Sequence, residues 1–156
     1  LNDYLQFAKN QAHEETTTID LQNLIYEIKK NLNNNNLILE DIHKTIVKGR
    51  AGALKRCFEN VIQNGLSYGN KVHVGTQKGL NRLTISFEDD GPGIPEDQYK
   101  SVFKPFFRLD KSRSQNKSGV GLGLTIVEDI INSHGGNVQL SKSKYGGLLL
   151  KISLPL

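Results

Sequence analysis

RLTISFEDDGPGI, residues 82–94, is the stretch whose reading decides the fold. Its first half alternates apolar and polar side chains, as a half-buried strand does. Its second half turns abruptly into two carboxylates and two glycines around a proline. Asp, Gly and Pro are ordinary turn residues, so a surface turn accounts for 88–94 taken alone. A ligand site accounts for it as well, with one carboxylate reading a base and the glycines admitting close backbone approach. The flanking segments decide between the two.

Just upstream, KVHVGT (71–76) is a second strand pattern, joined to the first through the turn signal KGLN (78–81). The two are expected to pair as an antiparallel hairpin. Residues 51–68 place Leu54, Phe58, Val61, Ile62 and Gly65 on one helical face. Asp20 is placed to cap a helix through Leu32 whose apolar face is Leu21, Leu24, Ile25 and Ile28. Asparagines 33–36 then make a turn, and LILEDI (37–42) and KTIV (44–47) read as short strands. Leu1, Leu5, Ala8 and Ala12 recur at helical spacing, and the polar run HEETTT (13–18) reads as a linker. Downstream, 91–119 is long and irregular with Pro92, Pro95 and Pro105, and loops of that length are usually functional. Residues 122–134 are helical, with Ile126, Val127, Ile130 and Ile131 inward and Gly135 and Gly136 as the stop. NVQLS (137–141) and LLLKISL (148–154) close the chain as strands around a turn at Tyr145, Gly146 and Gly147. This order indicates an α/β sandwich: a mixed, largely antiparallel sheet of about five strands with three helices packed on one face.

With 156 residues, 37% of them hydrophobic and 23% charged, the chain fits one globular domain with a sizeable core. The single cysteine, Cys57, leaves no internal disulfide to form and points to a reducing compartment. No apolar run is long enough to span a bilayer, and no signal peptide is expected within these residues. A start at Leu1 with no methionine anywhere predicts a fragment of a longer protein. The net charge of +4 is spread without an aromatic–basic stripe, so no nucleic-acid partner is expected.

Three further segments carry chemistry. In FENVIQNGLSYG (58–69), Asn60 and Asn64 are four apart, about 40° from each other on one helical face, at the border of the apolar stripe. They fit either a pair of satisfied structural amides or a site where an amide oxygen meets a hard cation. In GVGLGL (119–124), three alternate glycines precede an amphipathic helix. They fit either a flexible helix entry or a phosphate site at a helix N-terminus; neither dinucleotide-fold nor Walker spacing is present. Between them lies VFKPFFRLDKSRSQNKSG (102–119), whose phenylalanines Phe103, Phe106 and Phe107 suit core or lid anchors. Its cations Arg108, Lys111, Arg113 and Lys117 suit either a solvated loop or a cover over a polyphosphate.

Taken in chain order, the paired asparagines, the strand running into DxGxG, the Phe-Pro-Phe segment and GxGLGL resemble the catalytic, ATP-binding domain of sensor histidine kinases. That domain lies within the superfamily that also includes gyrase, Hsp90 and MutL. The resemblance covers residues 20–156 and is nearest to osmosensor-type members through NxxxNxxxYG, DDGPGI and PFxR-D. It implies a Bergerat-type fold with a mobile ATP lid, and ATP with Mg²⁺ as cofactors. In such a domain Asn64 would ligate Mg²⁺, Asn60 would line the same pocket as a catalytic residue, and Tyr68 would pack beside the adenine. Asp89 would accept from the exocyclic amine, with Asp90 left to solvent or an outer ring of contacts. Gly91 and Gly93 would turn under the base and Ile94 would wall the pocket. Arg108 would reach the terminal phosphate, with Lys111 and Arg113 as lid cations. Gly119, Gly121, Leu122 and Gly123 would flank the phosphates and hinge the lid, and Gly146 and Gly147 resemble the family's last glycine motif.

The departures are specific. Ser67 stands where the family often has Lys or Arg, and Gly65 where Ala is usual. ATP-hydrolysing relatives carry Glu at the position of Asn60, and Glu59 is about 100° around the helix. The reaction implied is therefore γ-phosphoryl transfer to a histidine rather than hydrolysis. The nearest phosphoacceptor candidate, His13-Glu14-Glu15-Thr16, lacks the family's proline and apolar run, so the acceptor is expected upstream of Leu1. Residues 1–17 then read as the end of a dimerisation helix and a linker, and 18–156 as the catalytic domain. Implied partners are ATP, the dimerisation and phosphoacceptor domain of the same or a sister chain, and a response regulator. The parent would be a homodimer anchored in the inner membrane with this portion in the cytoplasm.

Overall fold

A computed structural model of the chain describes residues 14–107 and 123–156. In chain order these form β1 (Thr17–Asp20), α1 (Leu21–Leu32), β2 (Leu37–Glu40), β3 (Ile46–Gly49), α2 (Ala51–Tyr68), β4 (Val72–Lys78), β5 (Arg82–Asp89), α3 (Gly123–Ser133), β6 (Asn137–Lys142) and β7 (Leu148–Pro155). Two 3₁₀ turns, Glu96–Gln98 and Ser101–Phe103, interrupt the segment after β5.

The alternating strand of the opening stretch is the centre of a five-stranded sheet ordered β2-β4-β5-β7-β6. β4, β7 and β6 join it through antiparallel pairs, and β2 pairs parallel with β4, so the sheet is mixed and largely antiparallel as expected. Register places Val72 opposite Asp89 on one side and Leu149 opposite Glu88 on the other. The end of β5 is therefore walled by the first residues of both neighbouring strands. Alternation sends Leu83, Ile85 and Phe87 to the buried face. They join Leu54, Phe58, Val61 and Ile62 of α2 and Ile126, Val127 and Ile130 of α3 in one core, where the rings of Phe58 and Phe87 meet at 5.9 Å. Cys57 is fully buried among them, and burial pushes its thiol pKa far up.

One strand leaves the main sheet. β3, from the KTIV segment, pairs with β1 in a separate ribbon in which Ile19 faces Val47. Thr17 and Thr18 thus lie in a strand, although the polar run 13–18 reads as a linker. Ile19 is the only buried residue of β1, too little apolar signal for periodicity to register. Paired β-branched threonines suffice once β3 supplies the partner.

The helix ends are set by specific partners. Asp20 caps α1 through a bond from Asn23 N at 3.1 Å, and Asn33 takes the left-handed conformation at its other end. α2 has no cap from its own N-cap residue, Arg50. Glu14, 38 residues before Gly52, supplies one: its two carboxylate oxygens accept from Gly52 N at 2.6 Å and Ala53 N at 3.0 Å. Beside it, His134 Nδ1 donates to Ile130 O at 2.7 Å while Nε2 accepts from Arg50 N at 3.0 Å. A carbonyl can only accept and an amide N–H can only donate, so the ring is neutral in this arrangement. Burial, with the Arg50 charge adding to it, holds the His134 pKa below its ordinary value, against the opposing pull of the Ile130 bond and Glu14.

Two outcomes follow for stability. Glu14→Ala removes two charge-assisted bonds at the start of α2, and should lower unfolding free energy by about 1 kcal/mol in urea titration with the slope unchanged. A histidine that stays neutral in the fold and gains a proton when unfolded makes the unfolded state bind more protons below pH 6.5. Stability from His134 is therefore complete above that value and declines as pH falls through it. The decline should be flatter in His134→Asn, read as the urea midpoint against pH.

Candidate functional site

The helix α2 lies over the end of β5, and its flank carries Asn60, Asn64 and Tyr68 at successive turns, all half-buried. Neither Asn60 nor Asn64 has a hydrogen-bond partner among the described residues. Asn64 and Asp89 line the same narrow slot, which Val61, Gly65, Leu124 and Leu148 help to enclose. Gly65 is what lets the helix come so near. A β-carbon there would stand 2.6 Å from Val72 Cγ2 and 3.6 Å from Asp89 Oδ2.

The Asp89 carboxylate is held asymmetrically. Its Oδ1 accepts from Gly91 N at 2.9 Å and Leu148 N at 3.1 Å, and Oδ2 lies on the Gly65 side. Burial raises its pKa above the ordinary carboxylate value, an effect the Gly91 and Leu148 bonds oppose and the Asp90 charge reinforces. Asp90 plays another part. Its Oδ1 accepts from Asn70 N at 2.7 Å and Lys71 N at 2.9 Å, tying the loop to the far end of α2. These bonds, that from Lys71 foremost, hold its carboxyl below the usual range.

The loop 90–94 runs between two glycine contacts. A β-carbon on Gly91 would lie 2.8 Å from Tyr68 O. Gly93 has φ +74° and faces Gly147 O of the β6–β7 hairpin. Ile94 is half-buried beyond it. Gly147 is the tightest contact: a β-carbon would fall 2.1 Å from Asp89 Oδ1. So Asn64, Tyr68, Asp89, Gly91, Gly93 and the glycine pair 146–147 converge at the end of β5, with Asn60 one turn back toward the start of α2.

Of the phenylalanines, Phe103 and Phe107 are half-buried and Phe106 is 54% exposed with φ +65°. Val102 is the buried residue of that segment, and Thr125 Oγ1 donates to Phe103 O at 2.8 Å to fasten it to α3. Gly123 opens α3, and a β-carbon there would meet nothing within 4 Å. Arg108, Lys111, Arg113, Gly119, Gly121 and Leu122, and with them the expected lid, lie outside the described residues. A wider open groove of about 910 Å³ runs between α3 and the 99–105 segment, and none of the residues expected at the site lines it. Sequence reading missed the Leu148 N–H that fixes Asp89 and the bonds of Asp90. Both join segments far apart in the chain, and no local pattern announces them.

Comparison with known proteins gives the family and the fold. The family model described as "Histidine kinase-, DNA gyrase B-, and HSP90-like ATPase" matches residues 49–156. The sensor histidine kinase CpxA of Escherichia coli is 34% identical over 169 residues, covering all of this chain and 36% of its own length. The chain thus spans about a third of such curated relatives. Among solved structures, the mycobacterial sensor histidine kinase MprB superposes with a TM-score of 0.76 at 25% identity, over 90% of this chain and 97% of the other. The histidine kinase domain of the E. coli osmosensor EnvZ gives 0.68 at 34% identity, over 89% and 88%. The chain belongs to the histidine kinase-, DNA gyrase B- and HSP90-like ATPases, as a catalytic ATP-binding domain of the sensor histidine kinase branch.

Proposed function

We propose that this chain binds Mg²⁺-ATP at the end of β5 and donates the γ-phosphoryl group to a histidine on a separate dimerisation domain, in two-component signal transduction. The observation that carries the nucleotide reading is the Asp89 carboxylate. With Oδ1 engaged by two backbone N–H groups, Oδ2 is left as a fixed acceptor at the mouth of the slot for the adenine amine. Tyr68 and Ile94 supply apolar surface beside the base, and Gly91 and Gly93 let the loop lie under it. Asn64 fits a magnesium ligand because its half-buried amide has no partner among the described residues. Those residues hold no cluster of three acidic, His or Cys side chains, so one amide oxygen would leave the other ligand positions to phosphate and water.

In the reaction, a lone pair of the acceptor imidazole attacks the γ-phosphorus while the bond to the β–γ bridging oxygen breaks, and ADP leaves. The domain's own work is positioning and charge stabilisation. Asn60 is assigned to the lining of the same pocket as a catalytic residue, Arg108 to the terminal phosphate, and Lys111, Arg113, Gly119, Gly121, Leu122 and Gly123 to the cover over the polyphosphate. Asn60 in place of an acid supplies no base to activate water, which favours phosphotransfer over hydrolysis. Residues 1–17 would connect to the dimerisation domain of a homodimeric, inner-membrane parent, with 18–156 as the cytoplasmic catalytic domain and a response regulator as the final acceptor. Among the described residues no helix is long and apolar enough to cross a membrane.

Asp89→Asn tests the base reading. Asparagine keeps an oxygen for the two backbone donors but replaces Oδ2 by an amide NH2 that donates and cannot accept, so ATP affinity by calorimetry should fall on the order of tenfold or more. A carboxyl with a raised folded pKa makes its ionised form a cost to the fold at neutral pH. The same variant should therefore unfold at an equal or higher temperature without nucleotide. For the reaction, labelled ATP with this chain and a dimerisation domain carrying the acceptor histidine should give acid-labile, alkali-stable label. Tight ATP binding with no labelled histidine would make the chain a nucleotide-dependent interaction module instead.

A further inference from the structure

We infer that Tyr145 is a positioning residue for the Asp89 carboxylate, an inference that rests on the adenine reading above. Tyr145 sits at the tip of the β6–β7 hairpin, yet its ring lies flat on His73 of β4, with centroids 4.1 Å apart and 15° between the planes. β5 stands between β4 and β7, so the tip is folded back across a strand rather than projecting beyond the sheet. Val72 and Val74 point into the core, which puts His73 and the stacked tyrosine on the face opposite the helices.

The stack is anchored from behind. His73 Nδ1 is 2.8 Å from Glu40 Oε1 on β2, which fixes the imidazole plane. A second tie runs through β5 itself, where Glu88 Oε2 accepts from Ser143 Oγ at 3.1 Å and Lys144 N at 3.3 Å. Immediately after these two ties the chain turns at Gly146, φ +98°, and delivers Gly147 and Leu148 onto Asp89. The Leu148 N–H bond and the absent side chain of Gly147 are the hairpin's share, beside the Gly91 N–H bond, in setting where Oδ1 sits and hence where Oδ2 points. The ring that pins the tip therefore acts on the carboxylate through two residues of backbone. Tyr145 is itself 36% exposed and outside the core, so its removal leaves the packing of the domain in place.

The test compares ATP with inosine triphosphate, which has a carbonyl where ATP has the exocyclic amine, by titration of this chain with Mg²⁺ present. Tyr145→Ala should weaken ATP about three- to tenfold, the range an aromatic stack can hold, and leave inosine triphosphate unchanged. Tyr145→Phe, which keeps the stack, should restore the preference, and the thermal midpoint without nucleotide should hardly move. Equal weakening of both nucleotides, or none, overturns the positioning role. Asp89→Asn separates this from the site reading. If it loses the preference while Tyr145→Ala keeps it, the positioning role alone fails. If Asp89→Asn also keeps the preference, the adenine reading falls and the positioning role with it.

Discussion

One carboxylate, satisfied by backbone on one oxygen and open on the other, organises this molecule. Asp89 ends the central strand, where it is flanked by the starts of β4 and β7 and roofed by α2. Gly65 above it and Gly147 beside it have no side chains because there is no space for them. The arrangement accepts a partly desolvated acid, which costs the fold something, and gains an acceptor of fixed direction. Apolar strands and helices could have closed over this point more tightly. The slot exists because three backbone segments approach within van der Waals distance of a single charged group.

The wall of that slot is held at both ends. Glu14 binds the first N–H groups of α2 and Asp90 binds the backbone just past its last turn. Each is a carboxylate that accepts two backbone bonds, so the helix is positioned by charge-assisted contacts as well as by its buried face. Between them α2 presents Asn60, Asn64 and Tyr68 on the side not committed to the core. A rigid helix with clamped ends is a better platform for an amide ligand than a loop would be, since its spacing cannot relax without breaking one of the clamps.

Much of this was legible in the sequence, for physical reasons that differ from element to element. α2, β4, β5 and α3 each devote a full periodic face to one core, and periodicity reports that directly. Asp20 and the asparagine at 33 signalled helix limits through local side-chain chemistry. The β1–β3 ribbon did not show, because it buries so little that it exists by pairing rather than by pattern. The motif order grouped Asn64 and Asp89 with Gly91 and Gly93, which meet at the end of β5, yet it said nothing of what aims Asp89. The Leu148 bond spans 59 positions and the Ser143 bond to Glu88 spans 55. Phe103, Phe106 and Phe107 looked like anchors by size, whereas the short 3₁₀ turn puts Val102 inward in their place.

Cys57 sits on the buried face of α2, inside the core that the helices and the sheet share. Its thiol is kept protonated by burial and is shut away from solvent, which makes it chemically inert in the folded chain. Because it is the chain's single sulfhydryl, any reaction with an alkylating reagent records an opening of the core around α2. The protein thereby carries its own clock for the opening of the helix that forms one wall of its candidate site. How far bound nucleotide slows that clock would measure how firmly the ligand holds the two layers together.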